Sequence, residues 1–265
     1  MKQAESFFDF AAELGLTKHL GGQGATKELI DRTRITPLSY VLDVGCGVGT
    51  TSCHLARCMG CRVVGVDINP SMVERARERA RRKGIELLVD FQTADASRLP
   101  FPDDTFSAVL SESATAFLPD KLRALQEYAR VTKPGGFVGL NESTWLQLPV
   151  PPQIQAWARQ DVGANASPLL PEAWARLLEE AGLEGIFYRT SAISTQEESR
   201  GILERYGWGG FLGMLWRALK LYLRSPAYRE FLASIRQESI VPSGLEDYLG
   251  YGIYIGKKAL FAKGQ

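Results

Sequence analysis

Histidine is nearly absent from this chain, with two in 265 residues, His19 and His54. Any imidazole base is thereby narrowed to one of two positions. Cysteine is scarce and unevenly placed, since Cys46, Cys53, Cys58 and Cys61 all fall within one short stretch. A disulfide framework would spread them along the chain. Cys53, His54, Cys58 and Cys61 invite a zinc reading, but most of them lie on one expected helix, with no paired CxxC and no second histidine at hand. No metal site is therefore expected, and the cysteines read as small buried hydrophobes. No window holds ~18 uncharged apolar residues. The opening MKQAESFFDFAAELGL carries acids inside its apolar pattern, unlike a secretory leader, so the expected location is cytoplasmic. Excess charge is missing as well. With 31 basic and 30 acidic residues, net +1, nothing draws the chain toward nucleic acid.

What is present is an alternation of strand and helix patterns on a chain long enough to bury a large core. Two amphipathic helices, in ESFFDFAAELGL and ATKELIDRTR, flank the loop TKHLGGQG. Then follow a strand in SYVLDVG, a helix in TTSCHLARCMG, a strand in CRVVGVDI and a helix in PSMVERARERARRKG with Pro70 in its first turn. IELLVDFQTAD and FSAVLSES read as strands three and four. DKLRALQEYARVTKPGG reads as a helix closed by Pro-Gly-Gly, and GFVGLNES as strand five. After a Pro-rich aromatic stretch and the helix LPEAWARLLEEAGL, EGIFYRTSAI and GYGIYIGKKAL supply two last strands. The expected fold is α/β: a Rossmann-like, doubly wound, mostly parallel seven-stranded sheet. It carries an N-terminal helical cap over 1–35, a core over 36–195 and 250–265, and a helical lid inserted late, over 196–249.

The turn VLDVGCGVGT follows the first strand and places glycines at 45, 47 and 49. Such a turn lets a ligand approach backbone that a side chain would cover. A dinucleotide fingerprint GxGxxG would need its third glycine where Thr50 stands, so the spacing leans away from NAD. Eighteen residues beyond Gly49 the second strand ends on Asp67, a carboxylate suited to both hydroxyls of a ribose. The third strand ends in TADA, placing Asp95 at the same sheet edge. Two acids in successive loops suit a ligand with no pyrophosphate to repel.

The segments VLDVGCGVGTTS, VVGVDINPSMVERAR, TADASRLPFPDDTFSAVLSES and ARVTKPGGFVGLNES, in this order and spacing, resemble the class I S-adenosylmethionine-dependent methyltransferases. Their flavour is similar to the small-molecule, ubiquinone/menaquinone-methyltransferase-like branch. The resemblance implies that S-adenosyl-L-methionine is the cofactor and S-adenosyl-L-homocysteine its product. It further implies that backbone at Gly45, Gly47 and Gly49 faces the methionine part, that Asp67 binds the ribose, and that Ile68 and Asn69 flank the adenine. Asp95 and Ala96 would hold the adenine amine and ring edge. Asp43 would support the turn and the cofactor's ammonium, and Ser111 joins the same set. His19 to Gly22, HLGG, resembles the HxGY loop of some small-molecule members, with Gly22 in place of the aromatic residue.

Because a sulfonium already carries a good leaving group, such an enzyme mainly aligns a nucleophile and excludes water. A base is needed only for an acceptor that must lose a proton. Its natural place is the end of strand four, SESATAFLPD, which makes Glu112 the first candidate and His19 the second. Trp145, Tyr206 and Trp208 are candidates for an acceptor pocket with an apolar part. In the insertion, Phe211, Leu212, Leu215, Trp216, Leu219, Tyr222 and Leu223 share one helical face, and Arg217, Lys220 and Arg224 another. Two readings follow. One is a lid docked on the core over a small-molecule acceptor; the other is a basic amphipathic helix, 211–224, lying on an anionic membrane to reach a lipid or quinone. A non-catalytic cofactor-binding protein is the remaining alternative. Nothing in the sequence sets an oligomeric state.

Overall fold

A computed structural model describes residues 7–15, 20–160, 166–193, 212–238 and 242–260. His19, Tyr206, Trp208 and Phe211 lie outside the described residues. The chain forms a seven-stranded sheet of order β3-β2-β1-β4-β5-β7-β6. Its strands are β1 (Tyr40–Val44), β2 (Arg62–Asp67), β3 (Val89–Thr93), β4 (Phe106–Glu112), β5 (Thr132–Trp145), β6 (Leu183–Ala192) and β7 (Leu249–Lys258). The first five run parallel, and β7 lies antiparallel between β5 and β6. The order reverses between β1 and β4. The carboxyl ends of these two strands therefore flank the crevice where ligands of open α/β sheets bind.

Both faces of the sheet are covered, which explains why β1 and β2 read as continuous apolar runs. On one face pack α2 (Gly22–Arg32), α3 (Thr50–Met59) and α4 (Pro70–Lys83), through Leu29, Leu55, Val73 and Ala76. On the other pack α5 (Lys121–Val131) and α7 (Pro171–Glu180), through Leu125, Tyr128, Trp174 and Leu178. Trp174 is fully buried and its indole Nε1 donates to the carbonyl of Ser143 at 3.2 Å, so neither its ring nor its polar atom is left uncompensated. The helix ends follow capping chemistry. Asn69 caps α4 by accepting from the Ser71 and Met72 amides, Pro70 opens it, and Gly84 ends it in the left-handed conformation.

Two of the sequence segments are held together by one side chain. Arg130 on α5 donates to the carbonyls of Leu99 and Phe101 and to the carboxylates of Asp103 and Glu127, all within 3.1 Å. The guanidinium holds the Glu127 carboxyl below its usual range. The loop LPFPDD before β4 is thus fastened to the helix that precedes VTKPGG.

Several elements differ from expectation. Pro-Gly-Gly does not close α5, because the helix ends where the Thr132 amide and hydroxyl both donate to the Tyr128 carbonyl. Residues 133–136 instead form an irregularity at the start of β5, where a Cβ at Gly136 would stand 2.7 Å from the Ser107 carbonyl oxygen. The Pro-rich stretch contains a helix, α6 (Pro152–Gln160), preceded by a cis Leu148–Pro149 bond. Of the cysteines, Cys46, Cys53 and Cys61 are buried as expected, whereas Cys58 is exposed on α3.

The late segment is helical over 212–224 (α8) and over Pro226–Glu238 (α9), followed by α10 (Leu245–Tyr248). Of the two readings of this helix, the docked lid would turn the broad apolar face inward, and among the described residues that face is exposed. Met214, Ala218 and Leu221 pack against Phe10 and Leu14 of α1 (Phe7–Leu14), together with Tyr228 and Phe231. Arg217 faces inward with them and donates twice to the Leu14 carbonyl, at 2.8 and 3.1 Å. The wide apolar face points outward. Helix α1 in turn packs Ala11 and Ala12 against Val48 and Met72, beside the glycine turn.

Candidate active site

The glycine turn between β1 and α3 is built from backbone that few other residues adopt. Gly45, Gly47 and Gly49 all have positive φ, at 72°, 52° and 72°. A Cβ at Gly45 would stand 2.2 Å from the Ala114 Cβ, and one at Gly49 would stand 2.8 Å from both Ala76 Cβ and Phe91 Cζ. The turn therefore lies flush against the loop after β4 and against α4. The amides of Gly45 and Cys46 donate to the Val66 carbonyl, and the amide of Gly47 donates to Asp67 Oδ2 at 2.9 Å.

Asp67 ends β2 with its other oxygen accepting from the Asn69 amide at 2.9 Å. Burial pushes its carboxyl up while these backbone donors hold it down. The next residue, Ile68, is 70% exposed, a large apolar side chain open to solvent at the sheet edge. Asn69 is occupied: its oxygen caps α4, and its Nδ2 donates to Asp9 of α1 at 2.8 Å. Asp95 is exposed beyond β3, and Ser97 donates to its Oδ1 from both amide and hydroxyl, which lowers its pKa. Ala96 is half-buried against the α5 side of the core.

Asp43 and Glu112 lie beneath the turn. Asp43 is buried on β1, accepts from the Ser52 hydroxyl, and is pushed up to about 7, chiefly by desolvation. The charges of Glu112 and Asp67 add to the upward push. Three carboxylates thus crowd one turn, an arrangement that favours a cationic ligand. Glu112 is 5% exposed at the end of β4. It accepts from Thr26 of α2 at 2.7 Å, from Thr51 of α3 at 2.8 Å and from the Asn141 amide at 3.4 Å. Ser111 is buried with its hydroxyl 2.9 Å from that of Thr115. Trp145, at the end of β5, is half-buried beside Val150, Ile154 and Leu249.

Several residues of the site were not singled out in the sequence. Glu142 on β5 is fully buried and pushed up to about 7 by desolvation. Its carboxylate accepts from the amides of Ala114, Thr115 and Ala116 at 3.2, 2.7 and 3.1 Å. It therefore fixes the loop after β4 from below. An acid in the interior of a strand covered on both faces was the available signal, since acids are almost never fully buried without partners. Ser113, which opens that loop, has a φ of 54°, strained for a residue with a Cβ. Leu20 is bound at both ends, its amide donating to the Ser113 hydroxyl at 3.4 Å and its carbonyl accepting from Asn141 Nδ2 at 2.8 Å. The cap segment is thereby stitched to β4 and β5. Asn141 Oδ1 and Ser143 Oγ are buried with no hydrogen-bond partner among the described residues.

Comparison with known proteins agrees with this geometry. Residues 42–140 match the family model described as "Methyltransferase domain". The chain is 30% identical over 234 residues to an uncharacterized protein of Haemophilus influenzae, covering 87% of this chain and 92% of that one. It is 34% identical over 167 residues to 27-O-demethylrifamycin SV methyltransferase of Amycolatopsis mediterranei, covering 60% and 61%. Among solved structures, the 4+2 cyclase SpnF aligns with a TM-score of 0.72 at 22% identity, over 96% of this chain and 94% of that one. Haemonchus contortus phosphoethanolamine N-methyltransferase 2, in complex with phosphomonomethylethanolamine and S-adenosylhomocysteine, aligns with a TM-score of 0.71 at 16% identity, over 97% and 59%. At these identities the two structures speak for the fold alone. Among the described residues no helix is long and apolar enough to cross a membrane. The chain belongs to the class I S-adenosylmethionine-dependent methyltransferases.

Proposed function

We propose that the acceptor is a small organic molecule with a substantial apolar part, methylated by alignment rather than by a dedicated base. One observation carries this reading. The loop Ser113–Leu118, held rigid by the Glu142 carboxylate at the carboxyl end of β4, contains no titratable side chain. Ala114, Ala116 and Phe117 supply it with apolar character instead. Such a loop can position an acceptor and exclude water, and it has no charge with which to bind an ionic one. The apolar surroundings of Trp145 support the same reading. The relatedness to a rifamycin methyltransferase also fits an acceptor of this kind. Asn141 Oδ1 and Ser143 Oγ, without a partner among the described residues, are available for the hydrogen bonds that a mostly apolar acceptor still needs.

The residues present fit the cofactor. Exposed Ile68 offers a surface for an adenine ring, and the half-buried backbone of Gly45 and Gly47 carries no side chain to keep out the amino-acid end. Asp67 retains acceptor capacity beyond its two backbone donors, enough for ribose hydroxyls. Asp95 Oδ2 has no partner among the described residues and suits an exocyclic amine. Asp43 holds the turn and offsets the positive charge of the ligand. When bound, the cofactor supplies an electrophilic methyl group on a sulfonium. Glu112 acts as a positioning residue in this reading, because Thr26, Thr51 and Asn141 already engage its oxygens and it ties the cap to the turn. The described part of 1–35 serves as the cap, through α1 on the glycine turn and Leu20 on β4 and β5. The test is to incubate the protein with methyl-labelled S-adenosylmethionine and a small-molecule extract, then partition the products. Label is expected in organic-soluble product; label confined to charged water-soluble product would overturn the apolar acceptor.

A further inference from the structure

Helix α8 presents a face that the other described residues leave bare. Leu212, Leu215, Trp216, Leu219, Tyr222 and Leu223 are 61, 48, 58, 49, 48 and 69% exposed. At about 100° per residue they fill a continuous arc of about 120°. The opposite side of the helix is already anchored, through Met214, Ala218 and Leu221 on α1 and through Arg217 on the Leu14 carbonyl. The stripe is therefore not an inward face waiting to dock on its own core. Six large apolar side chains on one helix make a patch that a soluble surface does not ordinarily leave uncovered.

The charges beside the stripe identify what covers it. Residues 212–224 contain three cations and no acid. Lys220 and Arg224 flank the stripe on one side, with the Lys220 ammonium 5.1 Å from the Trp216 ring. Arg229, at the start of α9, lies against the end of α8 and donates to the Tyr222 carbonyl at 2.8 Å. A second copy of this chain on a two-fold axis would bring another helix without acids against these cations. An anionic bilayer complements both features. Leucines enter the acyl boundary, Trp and Tyr sit at headgroup depth, and long basic side chains reach the phosphates.

We infer that α8 seats the protein on anionic membrane surfaces by inserting its leucine, Trp216 and Tyr222 stripe, with Lys220, Arg224 and Arg229 contacting lipid phosphates. This inference does not depend on the identity of the acceptor. Helix α1 lies between α8 and the glycine turn, so the seated face is one helix removed from the cofactor site.

Cosedimentation of the full chain with vesicles of phosphatidylglycerol, and with vesicles of phosphatidylcholine alone, tests the inference at low and at high salt. The protein is expected to pellet with the anionic vesicles at low salt and to be released as salt screens the cations. Replacing Lys220 or Arg224 by Ala should weaken partitioning about fivefold each and flatten its salt dependence. The double variant Leu219→Gln, Leu223→Gln should weaken it at least ~10-fold while S-adenosylhomocysteine affinity, read by calorimetry, stays unchanged and reports an intact fold. Absence of vesicle binding at low salt, or binding that the stripe variants leave unaltered, would overturn the inference. So would concentration-dependent dimerisation that the double variant abolishes, which would assign the stripe to a second copy.

Discussion

Cofactor binding should release a proton, and Asp43 is the group that should release it. In the free protein this carboxyl is buried, pushed up to about 7, and flanked by the charges of Glu112 and Asp67. A cationic ligand at the turn favours its ionised form, so binding is stronger where Asp43 is already deprotonated. The sign follows directly: affinity should rise with pH up to about 7 and level off above it. If the carboxyl is fully ionised in the complex, one proton coupled to a free-state value of about 7 gives a rise of about 15-fold between pH 5.5 and 7. At pH 6 it gives about 0.9 proton released per ligand bound. Calorimetric titration of S-adenosylmethionine in two buffers of different ionisation enthalpy measures both quantities. Asp43→Asn, which keeps an acceptor for the Ser52 hydroxyl, should flatten the pH dependence and abolish the release. Glu142 is also pushed up to about 7, but its carboxylate is engaged by three backbone amides of the loop after β4. A linkage that survives Asp43→Asn would therefore refute the assignment, as would an affinity independent of pH in the unmodified protein. The same two groups make the ligand-free protein gain stability as pH falls from about 7 toward about 5, because the folded state then holds protons that the unfolded chain has released.

Asp67→Ala should lower cofactor affinity at least ~10-fold, since each charge-assisted hydrogen bond contributes about 1.5 to 3 kcal/mol; unchanged affinity by calorimetry would remove Asp67 from the site. Gly45→Ala combines left-handed backbone strain of about 1 to 2 kcal/mol with a Cβ only 2.2 Å from Ala114 Cβ. Adding Ala114→Gly should recover the steric part in denaturant unfolding but leave the strain. A single variant as stable as the parent would contradict the geometry. Glu112→Gln and Thr26→Val should each weaken cofactor binding, and their effects should not add when combined, because they break one network. If instead Glu112→Gln lowers turnover ~100-fold with binding intact and Thr26→Val is silent, Glu112 is a base and its positioning role is wrong.

The fold was legible because its signals are local. Each parallel strand is a short apolar run, and each following helix carries its own cap, as Asn69, Pro70 and Gly84 do for α4. The glycine turn was legible for the same reason, since 45, 47 and 49 all need positive φ. What escaped the sequence depends on contacts between distant segments. Leu20 meets Asn141 across 121 positions, and Glu142 reaches back to the amides of Ala114 to Ala116. Neither has a periodic pattern. The sequence left two orientations of α8 open because Met214, Ala218 and Leu221 give even the side that carries Arg217 an apolar character. Periodicity finds the wider stripe but cannot tell which side Arg217 and Met214 will anchor.

The most direct test of the cofactor seat is a crystal structure with S-adenosylhomocysteine bound. Both ribose hydroxyls are expected on the Asp67 carboxylate, the adenine against Ile68 with its amine toward Asp95, and the amino-acid end over Gly45 to Gly49. A ligand bound elsewhere, or bound there with Asp67 still holding only the Gly47 and Asn69 amides, would contradict that placement.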